Sequence, residues 1–119
     1  MTVEQFYVEI GGNFEEVLSR LGKRERIVKY LYKFGSEDES VNLEKLLKEK
    51  SYEEAFRCVH SIKGMCLNLG LAGLGKVASD LCEELRNGEP AIDVTDMLND
   101  IKTQYKFIID TISKVDTGE

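Results

Sequence analysis

The sequence predicts an all-α protein, an antiparallel helical bundle with a four-helix-bundle core and additional short N-terminal helices. Apolar residues recur with the 3.6-residue period of amphipathic helices in almost every segment of the chain. The breaks between these segments consist of glycines and of a single proline, Pro90. Short turns separate the long segments of the second half, as they do between antiparallel neighbours in a bundle.

The first half of the sequence predicts four shorter helices. Thr2 and Gln5 form a capping-box pattern that begins the first helix, and Asn13 restarts the helical pattern after a pair of glycines. The predicted ranges are about 2–10, 13–21, 23–34 and 41–48. The acidic stretch 35–40, between the last two helices, is predicted to be a solvated loop.

The second half predicts three longer helices joined by short turns. Ser51 and Glu54 form another capping-box pattern, which begins a helix. That helix continues to about Leu69 and ends at Gly70. After it come a helix with apolar residues at intervals of three and four, the turn 87–90, and a last helix with one apolar stripe. The two sets of apolar residues are Leu71, Leu74, Ala78, Leu81 and Leu85, then Val94, Leu98, Ile101, Tyr105, Ile108, Ile112 and Val115.

Length and charge limit what the chain can be. The 119 residues, 42% of them hydrophobic, suit one core, so we expect residues 1–119 to form a single helical domain. Asp and Glu number 22 and Lys and Arg number 16, which gives a net charge of −6. Such a chain lacks the electrostatic attraction that drives non-specific binding to phosphate backbones. Nucleic acid is therefore not an expected partner.

The sequence lacks the signals of a targeting or membrane-spanning segment. The N-terminus has no basic region followed by an apolar stretch, and no run of about 18 apolar residues occurs. We therefore expect a cytoplasmic protein that does not bind a membrane.

The three cysteines lie inside apolar helical patterns. An odd number of cysteines in such positions favours reduced, buried thiols over a disulfide framework, a metal site or a redox site. The residues concerned are Cys58, Cys66 and Cys82.

His60, the single histidine, is predicted to lie on the outer face of its helix. On a helical wheel seven apolar residues of that helix fall at least about 100° from His60 and form the core face. They are Ala55, Cys58, Val59, Ile62, Met65, Cys66 and Leu69. Within about 60° of His60 on the wheel lie Glu53, Phe56, Arg57, Lys63, Gly64 and Leu67. This placement argues against the partly buried imidazole that a lone histidine often provides.

Gly64, one turn after His60, indicates that this outer face has a function. A glycine inside a helix costs about 1 kcal/mol relative to alanine. A plain surface position would therefore be better filled by almost any other residue. Because Gly64 has no side chain, it leaves the approach to the imidazole open, and we interpret it as clearance for a large partner.

The residues around His60 suit the transfer of a phosphoryl group to nitrogen. A neutral imidazole offers an unprotonated, nucleophilic ring nitrogen. Lys63 can place its ammonium beside the phosphoryl oxygens, although a lysine considered alone is more often a solvated surface charge. Phe56, Arg57 and Leu67 are candidates for docking a partner. The alternative for the two apolar residues among them is contact with a neighbouring helix.

The helix with His60, Lys63 and Gly64 resembles that of a histidine-containing phosphotransfer (HPt) domain of bacterial two-component signalling. It also ends in Asn68-Leu69-Gly70, and the likeness extends in detail over about residues 51–85. The resemblance implies a phosphocarrier that accepts a phosphoryl group on His60 from a receiver-domain aspartyl phosphate, or from a histidine kinase. It then passes the group to another receiver aspartate. Lys63 is implied as the charge partner of the phosphate, and Gly64 as the clearance position.

The resemblance also implies the partners. A response-regulator receiver domain, a hybrid histidine kinase, or both would bind this protein, which would itself be a monomer. The sequence contains no glycine-rich nucleotide-binding loop, so no ATP site, no kinase activity and no cofactor of its own are expected. Mg²⁺ would sit with the carboxylates of the receiver partner.

Two positions depart from the family pattern. Family members often have small residues directly after the glycine, but here Met65, Cys66 and Leu67 follow, of which the wheel turns only Leu67 outward. Some members bring a glutamine from the next helix to the imidazole. The corresponding residue here is Cys82, which its apolar pattern places near the core, so the sequence provides no residue that orients the ring.

Two other functions are open to the same sequence. A helical protein–protein interaction domain without phosphotransfer activity would use His60 as part of a docking surface, and it predicts binding without transfer. A metal or hydrolytic site is disfavoured. One histidine, with no second histidine and no paired acid at ligand spacing, cannot assemble a zinc site or a catalytic triad.

Overall fold

The computed structural model describes residues 1–117, which form seven α-helices and no β-strand. The fold is therefore all-α, as predicted. The helices are α1 Val3–Glu9, α2 Phe14–Leu21, α3 Arg24–Gly35, α4 Glu39–Lys48, α5 Tyr52–Leu69, α6 Ala72–Leu85 and α7 Thr95–Ile112.

The core of the fold is a bundle built around α5, α6 and α7. Helix α5 packs against α6, α6 packs against α7, and α4 contacts both α5 and α7, so these four helices enclose one core. Helix α3 also contacts α5 and α7, while α1 and α2 add the short N-terminal helices that the sequence predicts. All seven helices contribute to one hydrophobic cluster, which contains Phe6, Val17, Leu31, Leu43, Ile62, Leu81 and Ile101 among its buried residues.

The end of α5 is built around Gly70, which has a left-handed backbone with φ of 67°. The N–H groups of Gly70 and Leu71 both donate to the carbonyl of Cys66, which is the pattern of a glycine-terminated helix. Leu71 and Cys66 are both buried there. The turn directs the chain into α6, so the predicted helix end at Gly70 is confirmed.

The N-terminal helices are attached to this same end of α5. The hydroxyl of Tyr7 donates to the carbonyl of Leu69 over 2.6 Å. Two guanidinium nitrogens of Arg20 donate to the carbonyl of Asn68, each over 3.1 Å. Helix ends leave carbonyls without intrahelical partners, and these two bonds satisfy two of them.

Several predicted helix boundaries need correction. The capping box of Thr2 and Gln5 is confirmed, but the one predicted for Ser51 and Glu54 is wrong, because the Ser51 side chain makes no capping bond. The acidic stretch 35–40 is not entirely a loop. Helix α4 begins at Glu39 rather than at 41, since the Asp38 carboxylate accepts from the Ser40 N–H and caps it.

The last predicted stripe is longer than its helix. Helix α7 begins after Val94, which is its N-terminal cap residue, and ends at Ile112. Val115 is nevertheless buried, so the chain stays against the core for three residues beyond the helix.

The cysteines follow the prediction in two of three cases. All three are free thiols, and Cys66 and Cys82 are buried in the core, whereas Cys58 is half-buried. Burial raises the pKa of Cys66 to about 12 and that of Cys58 to about 11. These thiols are therefore protonated at neutral pH, and neither has the thiolate character of a reactive cysteine.

None of the helices in residues 1–117 is both long enough and apolar enough to cross a bilayer.

We predict that Gly70→Ala lowers the free energy of unfolding by about 2–4 kcal/mol, through left-handed strain and a clash. The new Cβ would lie 2.5 Å from Cγ2 of Val17. Gly11→Ala is the matched control, because Gly11 also has a left-handed backbone, with φ of 73°, but a Cβ there meets no atom within 4 Å. It should cost only about 1 kcal/mol of strain. Urea denaturation measures both, and equal losses would contradict the packing argument at Gly70.

Candidate functional site

His60 lies in the middle of α5 with its side chain exposed, as the wheel predicts. The neighbouring residues Val59 and Ile62 are both 0% exposed and face the core. Helix α5 thus has one fully buried face and one face that carries the imidazole. The bundle holds the first face, and the second is available to solvent.

The imidazole stands beside an aromatic ring from its own helix. The ring centroids of Phe56 and His60 lie 5.8 Å apart, with the ring planes inclined at 39°. A shallow depression of about 370 Å³ is lined by Phe56, Arg57, His60 and Ser61. Within residues 1–117 the imidazole has no hydrogen-bond partner, so both ring nitrogens are unoccupied by the protein itself.

Cys82 offers no side chain at the surface of this site. It is 0% exposed and lies in the core, as its apolar pattern predicts. The contact found at the imidazole is therefore with Phe56 on α5, one turn before His60, and not with a polar side chain at position 82 of α6.

Three basic side chains lie on or beside the face of α5 that carries His60, and their charges are differently engaged. Arg57 pairs with Glu53 at 3.0 Å on the exposed face of α5, and Arg86 pairs with Glu83 at 2.6 Å on α6. Lys63, which is half-buried, makes no ion pair within the described residues 1–117. Of these three basic groups, the Lys63 ammonium is therefore the one that an incoming anion can bind without displacing a carboxylate.

Arg86 and Glu83 are the residues that sequence reasoning missed. The guanidinium carbon of Arg86 lies 5.9 Å from the centroid of the Phe56 ring. The same Phe56 ring lies beside the imidazole of His60. The pKa of Glu83 is held below its usual range mainly by its hydrogen bond with the Arg86 guanidinium, and the charge of Lys63 lowers it further. Because Lys63 is on α5 and Glu83 is on α6, the end of α6 lies beside this face of α5. The spacing of Glu83 and Arg86 in sequence predicts their ion pair but not the helix that they approach.

Gly64 and Leu67 continue the exposed face beyond His60. A Cβ added at Gly64 would meet no atom within 4 Å, so no contact within the described chain requires glycine there. Leu67 is 65% exposed, whereas Phe56 is half-buried against the core cluster. The surface around His60 therefore combines an open glycine, an exposed leucine and a set of cations.

This arrangement can present a nucleophilic nitrogen to another molecule. An exposed neutral imidazole can accept an electrophile on nitrogen, and the nearby cations would stabilise negative charge on that electrophile. Among residues 1–117, no group of three or more histidine, cysteine or acidic side chains could hold a metal ion.

The comparisons with known proteins give one match. A family model described as the Hpt domain matches residues 31–114, which is well over half of the chain. The matched range begins near the end of α3, includes His60, and continues through α7. Neither the comparison with curated proteins nor that with solved structures gives a match.

We predict that Gly64→Ala raises the free energy of unfolding by about 0.5–1 kcal/mol, because alanine has the higher helix propensity and the site is open. Gly75→Ala on α6 is the matched control. Its new Cβ would lie 3.1 Å from Cβ of Cys66 on α5, so the gain in propensity should be cancelled or reversed by crowding. Urea denaturation compares the two variants, and a loss of stability at Gly64 would show that this glycine has an internal packing role.

Proposed function

Because this chain belongs to the Hpt domain family, we propose that it is a phosphocarrier that holds the phosphoryl group on His60. Membership of the family implies phosphotransfer in two-component signalling, and Hpt domains act as phosphocarriers rather than as kinases. The observation that carries the assignment to His60 is its position. It is the single histidine of the chain and lies exposed beside a glycine whose Cβ position is open.

The proposed transfer is a displacement at phosphorus. The unprotonated ring nitrogen of His60 attacks the phosphorus of a receiver-domain aspartyl phosphate, the N–P bond forms, and the bond from phosphorus to the aspartate oxygen breaks. The aspartate leaves as a carboxylate, and the other ring nitrogen keeps its proton. The reverse reaction delivers the group to a second aspartate. A histidine kinase is the alternative donor of the phosphoryl group to the same nitrogen.

Lys63 is proposed as the charge partner of the phosphoryl group. It lies one turn after His60 on the same face, and it has no competing ion pair within residues 1–117. Arg86 can add a second positive charge from α6. Its ion pair with Glu83 is exposed and therefore weakened by solvent screening, so phosphoryl oxygens can compete for the guanidinium.

The surface around the histidine is proposed to dock the partner. Phe56, Arg57 and Leu67 would contact the receiver domain, and the space above Gly64 would admit the aspartyl phosphate together with the walls of its site. Exposed apolar area such as that of Leu67 is typical of surfaces that bind other proteins.

The remaining partners follow from the same proposal. A response-regulator receiver domain, a hybrid histidine kinase, or both would exchange phosphate with this chain in the cytoplasm. The Mg²⁺ that such transfers use would be held by the receiver, and the chain would need neither ATP nor a cofactor of its own. One exposed histidine serves one receiver at a time, so a monomer suffices.

We predict that a panel of aspartyl-phosphorylated receiver domains transfers phosphate to the parent protein, and that His60→Gln accepts none. The phosphate formed should be labile in acid and stable in base, as a phosphoramidate is. Radiolabel transfer followed by gel analysis at both pH extremes measures it. Transfer to His60→Gln would contradict the assignment. Binding of receivers without transfer to the parent would instead favour a helical interaction domain.

We predict that Gly64→Gln slows transfer at least about tenfold, because the new side chain obstructs the approach of the reacting groups. Gly64→Ala is the size control and should retain most of the rate. Both variants should fold at least as stably as the parent, since both improve helix propensity. Rapid-mixing kinetics give the rates and urea denaturation gives the stabilities. Normal transfer by Gly64→Gln would exclude the clearance role.

A further inference from the structure

A second cleft lies near the end of α5, away from the depression at His60. It has a volume of about 490 Å³, within the usual range for small-molecule sites, and shares no lining residue with that depression. Its apolar walls come from α3, α5 and α7, and they include Tyr30, Phe34, Met65, Leu69 and Tyr105. We call it the Tyr105 cleft.

Tyr105 brings an unsatisfied polar group to this cleft. Its side chain is 0% exposed, and its hydroxyl is buried without a hydrogen-bond partner among the residues that the structure describes. Its ring stacks on Phe34, with centroids 4.8 Å apart and planes at 12°. Burial raises the pKa of the phenol, so the hydroxyl remains a donor. The backbone N–H of Glu39 approaches the phenol oxygen and lowers the pKa by less, but it leaves the O–H proton without an acceptor among the described residues.

An unpartnered buried donor has an energetic consequence. A buried polar group without a partner destabilises the fold, so a molecule that accepts a hydrogen bond from this hydroxyl removes that penalty when it binds. One water occupies about 30 Å³ of liquid and needs two to four polar partners. The cleft is far larger than one water, and six of its eleven lining residues are apolar or aromatic.

The mouth of the cleft is acidic. Glu37 and Glu39 line it, and Asp38 lies between them in sequence. Burial, followed by the hydrogen bond and the negative charge of Glu37, raises the pKa of Glu39, which shows that these carboxylates are crowded together. Lys33 is the basic residue in the lining. Two carboxylates against one ammonium favour a cation over an anion at this mouth.

We propose that the Tyr105 cleft is a binding site for a small aromatic amine that also carries an oxygen acceptor. The aromatic body would lie against the apolar walls, the protonated amine would meet Glu37 and Glu39, and the oxygen would accept from the Tyr105 hydroxyl. The proposal does not depend on phosphotransfer at His60, because the two sites share no residue.

Three matched compounds test the proposal with the full chain: 4-(2-aminoethyl)phenol, its neutral alcohol isostere 4-(2-hydroxyethyl)phenol, and the anion 4-hydroxyphenylacetate. Titrations followed by ¹⁵N NMR should show saturable shifts at Phe34, Met65 and Leu69 with the amine. The amine should bind at least about fivefold more tightly than the alcohol, and the anion should bind most weakly of the three. Absence of binding by the amine, or equal affinity for all three compounds, would overturn the proposal.

Two variants test the named groups. The double variant Glu37→Gln with Glu39→Gln should abolish the preference for the amine over the alcohol, and Glu15→Gln, an exposed acid on α2 outside the cleft, should leave it unchanged. Tyr105→Phe keeps the ring stack and removes only the hydroxyl. It should fold at least as stably as the parent, and it should bind both the amine and the alcohol several-fold more weakly. Unchanged affinity in Tyr105→Phe, or in the double variant, would contradict the proposed contacts, and unchanged phosphotransfer in all variants would show that the two sites are separate.

Discussion

The structure depends above all on how α5 ends. Gly70 can hold the left-handed conformation that closes the helix, and the Leu71 N–H then bonds back to Cys66 and starts α6 in the opposite direction. The carbonyls left free at this end accept from Tyr7 and Arg20, so the N-terminal helices attach where α5 stops. A single backbone conformation thus sets the antiparallel pair of long helices and gives α1 and α2 their place.

The functional face follows from this antiparallel pair. Helix α6 can approach α5 closely because Gly75 faces Cys66, where a Cβ would lie only 3.1 Å away. With the two helices fixed at that point, the far end of α6 comes level with the first half of α5. Arg86 then lies over Phe56, and Phe56 lies beside His60. The packing therefore brings a guanidinium of α6, together with its partner Glu83, to the aromatic neighbour of the imidazole.

Three glycines of this helical pair look alike in sequence but have different physical causes. Gly70 is required by its backbone conformation and Gly75 by the close approach of two helices. Gly64 has neither reason within the described chain, because it is helical and a Cβ there meets open space. Its unfavourable helix propensity is therefore the best structural support for an external role at this face. The sequence could suggest that conclusion, but only the surroundings of each glycine separate the three cases.

The sequence by itself determined the helical class, most helix boundaries, the end of α5 at Gly70 and the outward direction of His60. These features follow from the 3.6-residue period and from local caps, which involve residues close together in the chain. It did not determine that Arg86 reaches Phe56, or that Tyr105 is buried beside Glu39 without a hydrogen-bond partner among residues 1–117. Those features depend on the rotation and the shift of one helix against another, which the period of a single helix does not encode, and the tertiary structure alone decided them.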